Sequence, residues 1–276
     1  MAYLRSFGIG ASVARAALDW VRNDPKAGGL RRTNFHGRTV TLAGGPALAV
    51  GATVGAASGA RTGRLAAAAV AAGAVSGAVG FYDDIVGNRP EQKAAKGFAG
   101  HLGALREGRV TSGLVKIAGV GAAGLAASAL IGSGRSTRAG RGFDVLLGAG
   151  VIAGAANLLN LLDLRPGRAI KAGLIAGAPL AVGRNASMTA GTLGAGAALL
   201  PADLGEEIML GDAGANALGA LLGVALVARS GTAGRVAALA ALAGLTAASE
   251  KVSFTKVIQD TPWLRAIDEL GRRPPA

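Results

Sequence analysis

The chain alternates long apolar stretches with short polar connections. The stretches run over 40–60, 65–82, 113–132, 143–162, 168–183, 185–202, 213–229 and 233–249, and most hold no charged residue past their ends. A bilayer core needs about 20 apolar residues of helix, so each stretch predicts a membrane-spanning helix. The two at 168–183 and 185–202 are short and predict a tight helical hairpin. Residues 3–21 are interrupted by Arg5, Arg15 and Asp19. They read as a poor ninth span or as a helix lying in the membrane interface. The broken apolar core, with no clear A-x-A site after it, argues against a cleaved signal peptide. The expected fold is all-α: a single integral membrane domain over 1–276, a polytopic bundle of eight or nine transmembrane helices. An N-terminal helix and loop (1–39), a loop at 83–112 and a tail at 250–276 complete it.

Composition removes the alternatives. Hydrophobic residues make up 51% of the chain and charged residues 16%, against about 25% charge in soluble domains. Disordered chains are apolar-poor and charge-rich, the reverse of this one. The 46 glycines show no every-third-residue register, which excludes collagen. With no cysteine there is no disulfide, thiolate nucleophile or Fe–S cluster, and two histidines, His36 and His101, are too few for a His-rich metal site. Small residues let membrane helices approach closely. Gly51, Gly55 and Gly59 form such steps, as do Gly150 with Gly154 and Gly219 with Gly223, though at one glycine in six these spacings also arise by chance.

The net charge of +13 suits either a nucleic-acid face or cytoplasmic membrane loops, and position decides between them. The segments 22–39, 83–112, 164–171, 201–212 and 250–276 carry 18 Lys and Arg, while 61–64, 133–142, 184 and 229–235 carry 8. The first set is therefore expected in the cytoplasm, although Arg135, Arg138 and Arg141 sit against the bias. The charge is mostly loop charge, and no nucleic-acid partner is expected.

Four of the ten aspartates stand where apolar stretches meet that cytoplasmic side. Asp83 and Asp84 end Gly80-Phe81-Tyr82-Asp83-Asp84, and Asp163 ends Asn157-Leu158-Leu159-Asn160-Leu161-Leu162-Asp163. Asp212 lies in Met209-Leu210-Gly211-Asp212-Ala213-Gly214. The alternation of spans puts all four on one face whether or not 3–21 crosses. Each one alone also reads as a helix cap or an interfacial charge. Carboxylates near the membrane interior are expensive and point to function, and an adjacent pair calls for a cation or a shared proton. Oxygen donors without cysteine suit a hard cation, Mg²⁺ or Mn²⁺. Gly211 and Gly214 permit close backbone approach to a metal or phosphate, and a helix beginning near 213 could offer free N–H groups to an anion. In the loop before Leu114, Lys93, Lys96, Arg106 and Arg109 are candidate phosphate contacts, and His101 a proton shuttle or phosphate donor. Ordinary loop charge and a solvated histidine are the plainer readings of these residues.

These strings, in this order, resemble the polyprenyl-phosphate sugar-1-phosphate transferase family. Its members include phospho-N-acetylmuramoyl-pentapeptide transferase and the UDP-GlcNAc:undecaprenyl-phosphate transferases. The family's G-F-x-D-D string is matched at 80–84 and its N-x-x-N-x-x-D string at 157–163. Its G-D-x-G string with a following L-G is matched by Gly211, Asp212, Gly214, Leu218 and Gly219. The stretch 32–45, with Asn34-Phe35-His36-Gly37-Arg38 and Gly44-Gly45, is loosely similar to the family's first cytoplasmic loop. The resemblance covers about 30 to 230. It implies attack of a polyprenyl phosphate on the β-phosphate of a UDP-sugar, with Mg²⁺, releasing UMP, in the synthesis of envelope polysaccharide or peptidoglycan precursors. By that resemblance Asp83, Asp84 and Asp212 are catalytic, with Asp212 and Asp84 serving the metal. Asn157, Asn160 and Asp163 face the donor or the metal's outer shell, with Lys96, His101, Gly211 and Gly214 also at the substrates. An apolar groove would take the prenyl chain, and a homodimer is left open.

Three positions depart from the family pattern. Leu164-Arg165-Pro166-Gly167 follows Asp163 where a second acidic residue is usual, with Pro166 in its place. Ala215 replaces a serine, and no histidine follows His101: Glu250-Lys251-Val252-Ser253-Phe254-Thr255-Lys256 stands where a histidine cluster is usual. The alternatives are a catalytically silent relative that binds polyprenyl phosphate or scaffolds an envelope-synthesis complex, and a small-solute transporter. The acids cluster at span ends rather than mid-span, which disfavours the transporter.

Overall fold

Threonines open three of the helices. Thr62, Thr111 and Thr137 end polar connections, and their hydroxyls accept the N–H groups of Leu65, Leu114 and Gly140 at 3.1–3.2 Å. Each so satisfies a first-turn donor that has no partner within its own helix. The computed structural model describes residues 1–87, 89 and 97–274, apart from the side chains of 97–99, 101 and 102. Among these residues the fold is all-α, with twelve α-helices: α1 (Ala2–Arg22), α2 (Gly44–Gly59), α3 (Gly63–Val86), α4 (Gly97–Arg106), α5 (Ser112–Ile131), α6 (Arg138–Leu162), α7 (Arg168–Gly177), α8 (Ala186–Leu204), α9 (Gly211–Val227), α10 (Thr232–Ser249), α11 (Phe254–Asp260) and α12 (Pro262–Glu269). Four of them, α3, α5, α6 and α10, are long and apolar enough to cross a membrane. The other predicted spans are also helical, but α2 has 16 residues and α9 has 17. The expected hairpin is α7, a 3₁₀ turn at Ala178–Ala181, and α8.

Helix α9 is the axis. Small and apolar residues surround it on every side, and nearly all of it is buried, as an all-round apolar helix must be. It packs against α3, α6, α2 and α5. The glycine spacings noted in the sequence lie at helix crossings, around α9 and elsewhere. A Cβ on Gly51 would meet Ala14 of α1 at 2.5 Å, one on Gly55 would meet Gly191 of α8 at 2.6 Å, and one on Gly219 would meet Ala155 of α6 at 2.3 Å. Helix α1 is continuous through its charges because Ser6, Gly10, Ala14 and Leu18 form the buried stripe, while Arg5, Arg15 and Asp19 are exposed. Helix α10 stands apart, and Arg235 is its one buried residue.

One element departs from the all-helical expectation. Residues 31–33 and 39–41 form a two-stranded antiparallel hairpin, β1 (Arg31–Thr33) and β2 (Thr39–Thr41). Its turn contains Gly37 at φ +76°, a conformation glycine takes without strain. The amide of Thr41 donates to Glu207 O at 3.2 Å, and Met209 donates to Thr41 O at 2.9 Å. The hairpin is thereby fixed to the turn before α9.

Candidate functional site

The C-terminal end of α3, the first turns of α5, the C-terminal end of α6 and the N-terminus of α9 meet at one end of the bundle. Asp83, Asp84, Asp212, Asn160 and Asp163 come together there. Lys116, in α5, sits among them: its ammonium is 2.7 Å from Asp83 Oδ2 and is paired with Asp212 Oδ2. The carboxylates of Asp83 and Asp212 are within hydrogen-bonding reach of each other, and Asn160 Nδ2 donates to Asp212 Oδ1 at 2.6 Å. The side chains are partly accessible, 14% for Asp83, 23% for Lys116 and 26% for Asp212.

Asp84 is used differently. Its Oδ1 accepts the amide of Asp212 at 2.9 Å and its Oδ2 that of Ala213 at 3.0 Å. Asp163 accepts the amide of Gly211. The free N–H groups expected at the start of this helix are thus met by the protein's own carboxylates, one from α3 and one from the end of α6, which suits the positive end of the helix. Asp163 caps α6, and its carboxyl is held well above the ordinary carboxylate range, by burial first and then by the negative charges of Asp203, Asp212 and Asp84.

Gly211 has φ +58°, and a Cβ there would lie 2.6 Å from Asp84 Oδ1. Its required neighbour is thus a carboxylate. Gly214 turns toward α2, where a Cβ would meet Gly45 Cα at 3.1 Å; it serves helix packing. Asn157 donates to Thr246 Oγ1 at 3.1 Å, tying α6 to α10. Lys93 and Lys96 lie outside the described residues, as does the side chain of His101.

Beside the cluster a groove of about 670 Å³ runs between α5, α6, α9 and α10. Lys116, Asn157, Asn160, Asn216, Thr246 and Glu250 make its polar end, and Val120, Ala153, Leu239 and Leu242 its apolar length. Asn216 is 3% exposed, and its Nδ2 has no hydrogen-bond partner. A buried donor without a partner is uncommon, and this one lines the groove one turn along α9 from Asp212.

A second hollow of about 250 Å³ lies on the other side of Asp163, lined by Phe35, Arg165, Pro166, Asp203 and Glu206 among others. The Arg165 guanidinium stacks over Phe35 at 4.1 Å. Glu206, its side chain 1% exposed, holds this rim. It accepts from Arg38 at 2.8 Å, pairs with His36 Nδ1 at 2.9 Å, and accepts from Asn34 Nδ2. Burial pushes the Glu206 carboxyl up, but the hydrogen bonds of His36 and Asn34 and the charges of His36 and Arg38 outweigh it and hold it below its ordinary value.

The sequence reading missed Lys116, Asn216 and Glu206. Lys116 carried a usable signal, being a lone cation inside a predicted span. Asn216 stands four residues after Asp212, hence on the same helix face. Glu206 is distinguished only by partners about 170 residues away. Among the described residues no group of three or more His, Asp or Glu is arranged to hold a metal by itself. No protein-family model matches the chain, and no curated protein matches it.

Proposed function

We propose that the chain is a multi-pass membrane phosphotransferase with its site facing the cytoplasm. It would move a sugar-1-phosphate from a UDP-sugar to a polyprenyl phosphate, in the synthesis of an envelope precursor. The observation that carries this reading is the Asp83–Lys116–Asp212 cluster at the polar end of an apolar groove. That combination suits a ligand with a phosphate head and a hydrocarbon tail. The nearly bare α10, apolar yet with one buried residue, supports a bilayer as its surroundings, and on this reading eight or nine helices cross it.

The chemistry is attack by a lipid phosphate oxygen on the β-phosphorus of the donor. The new O–P bond forms as the bond from that phosphorus to the α–β bridging oxygen breaks, and UMP leaves with the electron pair. Two polyanions must meet, so charge has to be neutralised. Oxygen donors of this kind suit Mg²⁺. Two carboxylates, Asp83 and Asp212, already converge on a cation in Lys116, while Asp84 is engaged by the amides of α9. Mg²⁺ commonly takes one or two carboxylates and fills its shell with water and phosphate, so Asp83 and Asp212 would hold it, and Mn²⁺ suits the same donors. Mg²⁺ there supplies charge neutralisation and alignment of the two phosphates. Lys116 would release its carboxylates to bind a phosphate oxygen, while Asn160 orients Asp212. Asp84, with both oxygens on the amides of α9, positions Asp212 and stands behind the site. Asn216 offers an unused donor to the lipid headgroup. Arg165 and Phe35, beyond Asp163, would receive the donor nucleotide.

The test is transfer of label from a panel of UDP-sugars to undecaprenyl phosphate by purified protein. Product is expected with Mg²⁺ and none with a chelator. Lys116→Met and Asp212→Asn should each lower turnover about a thousandfold, corresponding to about 4 kcal/mol of lost charge stabilisation. Undiminished turnover in Asp212→Asn would overturn the metal assignment. Lipid binding without transfer, across all donors and metals, would favour the catalytically silent relative. The absence of a three-acid metal group among the described residues is the observation on that side.

A further inference from the structure

The helices that carry the carboxylate cluster carry a different chemistry at their other ends. Asp84 is near the end of α3 and Arg64 at its start; Lys116 is near the start of α5 and Ile131 at its end; Asp212 opens α9 and Ala228 follows it. At that far end Arg61, Arg64, Arg184 and Asn185 line a pocket of about 480 Å³ backed by Leu65, Leu130 and Ile131. We propose that this pocket binds a phosphate group, carried by an anionic lipid headgroup or by a soluble phosphorylated molecule.

Four observations converge on it. First, none of the three guanidiniums makes a hydrogen bond or ion pair among the described residues. Their neighbours on this face show what a structural arginine does here: Arg229 donates to the carbonyls of Leu180 and Val182 at 2.9 and 2.6 Å, and Arg235 to that of Asp144 at 2.9 Å. Second, no acid neutralises them. The connections at 61–64, 133–142, 184 and 229–235 contain no Asp or Glu. Asp144, the nearby carboxylate, is already met by Ser133 at 2.6 Å and Thr232 at 2.7 Å. Third, Asn185 is 7% exposed and its side chain makes no hydrogen bond, not even the capping bond its place before α8 allows. An amide that no protein group engages, lining a cavity ringed by cations, leaves a donor available to an anion. Fourth, all eight basic residues of these connections are arginine, the side chain whose planar fork matches phosphate oxygens.

The apolar back wall lies where span ends would meet lipid headgroups, and basic pockets between membrane helices bind anionic headgroups. Arg61 also lines a second pocket of about 500 Å³ that contains Arg5.

The pocket is tested without reference to transferase activity. The protein in uncharged detergent is titrated with cardiolipin, phosphatidylglycerol, phosphatidylcholine and inorganic phosphate, reading the thermal midpoint and lipid retention by native mass spectrometry. Cardiolipin or phosphatidylglycerol should raise the midpoint and remain bound, and phosphatidylcholine should not. A response to inorganic phosphate as strong as that to lipid identifies the soluble source. The combined Arg61→Gln, Arg64→Gln, Arg184→Gln variant should bind at least tenfold more weakly. An Arg135→Gln, Arg138→Gln, Arg141→Gln control, removing equal charge from the same face, should bind as wild type does. Equal loss in the control, equal response to phosphatidylcholine, or no response to any phosphate would overturn the proposal. The last two readouts need wild-type protein alone.

Discussion

At Gly211 one missing Cβ holds the site together. Its φ of +58° would strain any other residue, and the space a Cβ would fill is occupied by the Asp84 carboxylate, 2.6 Å away. Gly211→Ala should lower stability by about 2 kcal/mol, from the left-handed backbone and from displacing the cap of α9. The check is a thermal midpoint, which should fall by several degrees. Asp84→Asn should fall less, by about 1 kcal/mol, because a carboxamide accepts from one of the two amides and not from both. Asp212→Asn keeps the bond to α9's backbone and should lose turnover with little loss of midpoint. That contrast separates a positioning carboxylate from a reacting one. The aspartates could be read from the chain because carboxylates at the ends of apolar runs stand out. Their division of labour could not, since Asp84 and its amide partners are 128 and 129 residues apart, and Lys116 lies 96 from Asp212.

The helices followed from the length of uncharged apolar stretches, so α3, α5, α6 and α9 begin and end within a few residues of their expected bounds. What lies across their ends did not follow, because long-range ion pairs build it. The tail is the clearest case. Arg168, the first residue of α7, forms a bidentate pair with Asp268 of α12 at 2.8 and 2.9 Å, and Arg272 adds a third bond at 2.6 Å. Lys171 Nζ donates to the carbonyls of Ile267 and Leu270 at 2.9 and 3.1 Å, favourable for a cation at a helix C-terminus. Burial pushes the Asp268 carboxyl up, but the hydrogen bonds and charges of Arg168 and Arg272 prevail and hold it below the ordinary carboxylate range. The unfolded chain therefore takes up the proton at higher pH than the folded one. The clasp contributes fully above the unfolded value, about 3.9, and is lost as pH falls below it. Limited proteolysis of the tail should accelerate as pH is lowered from 5 toward 3. Asp268→Asn should expose the tail at neutral pH, because removing one partner of a buried pair costs about 3–5 kcal/mol. Unchanged cleavage in that variant would show that α11 and α12 are held by packing alone.

The bundle has chemically opposite ends, and its orientation follows from which end meets the cytoplasm. With 24 residues in α3, rising about 1.5 Å each, Asp84 and Arg64 are separated by roughly the thickness of a bilayer core. One end gathers Asp83, Asp163 and Asp212 with most of the basic loops; the other holds eight arginines and no loop acid. On the proposed reading the bias of 18 to 8 would put the carboxylate end inside. The eight outer arginines oppose that bias and are the reason to measure it. The chain has no cysteine, so a single introduced thiol reports without background. Glu107, after α4, and Ser136, before α6, are both exposed and lie at opposite ends. In intact cells an impermeant maleimide should label Ser136→Cys at once, and Glu107→Cys only after the membrane is opened. Labelling of Glu107→Cys alone would invert the molecule. It would put the carboxylate cluster on the side where nucleotide sugars are not supplied, and the transferase reading would fall with the orientation. The phosphate-binding arginines would then face the cytoplasm, and their pocket would stand.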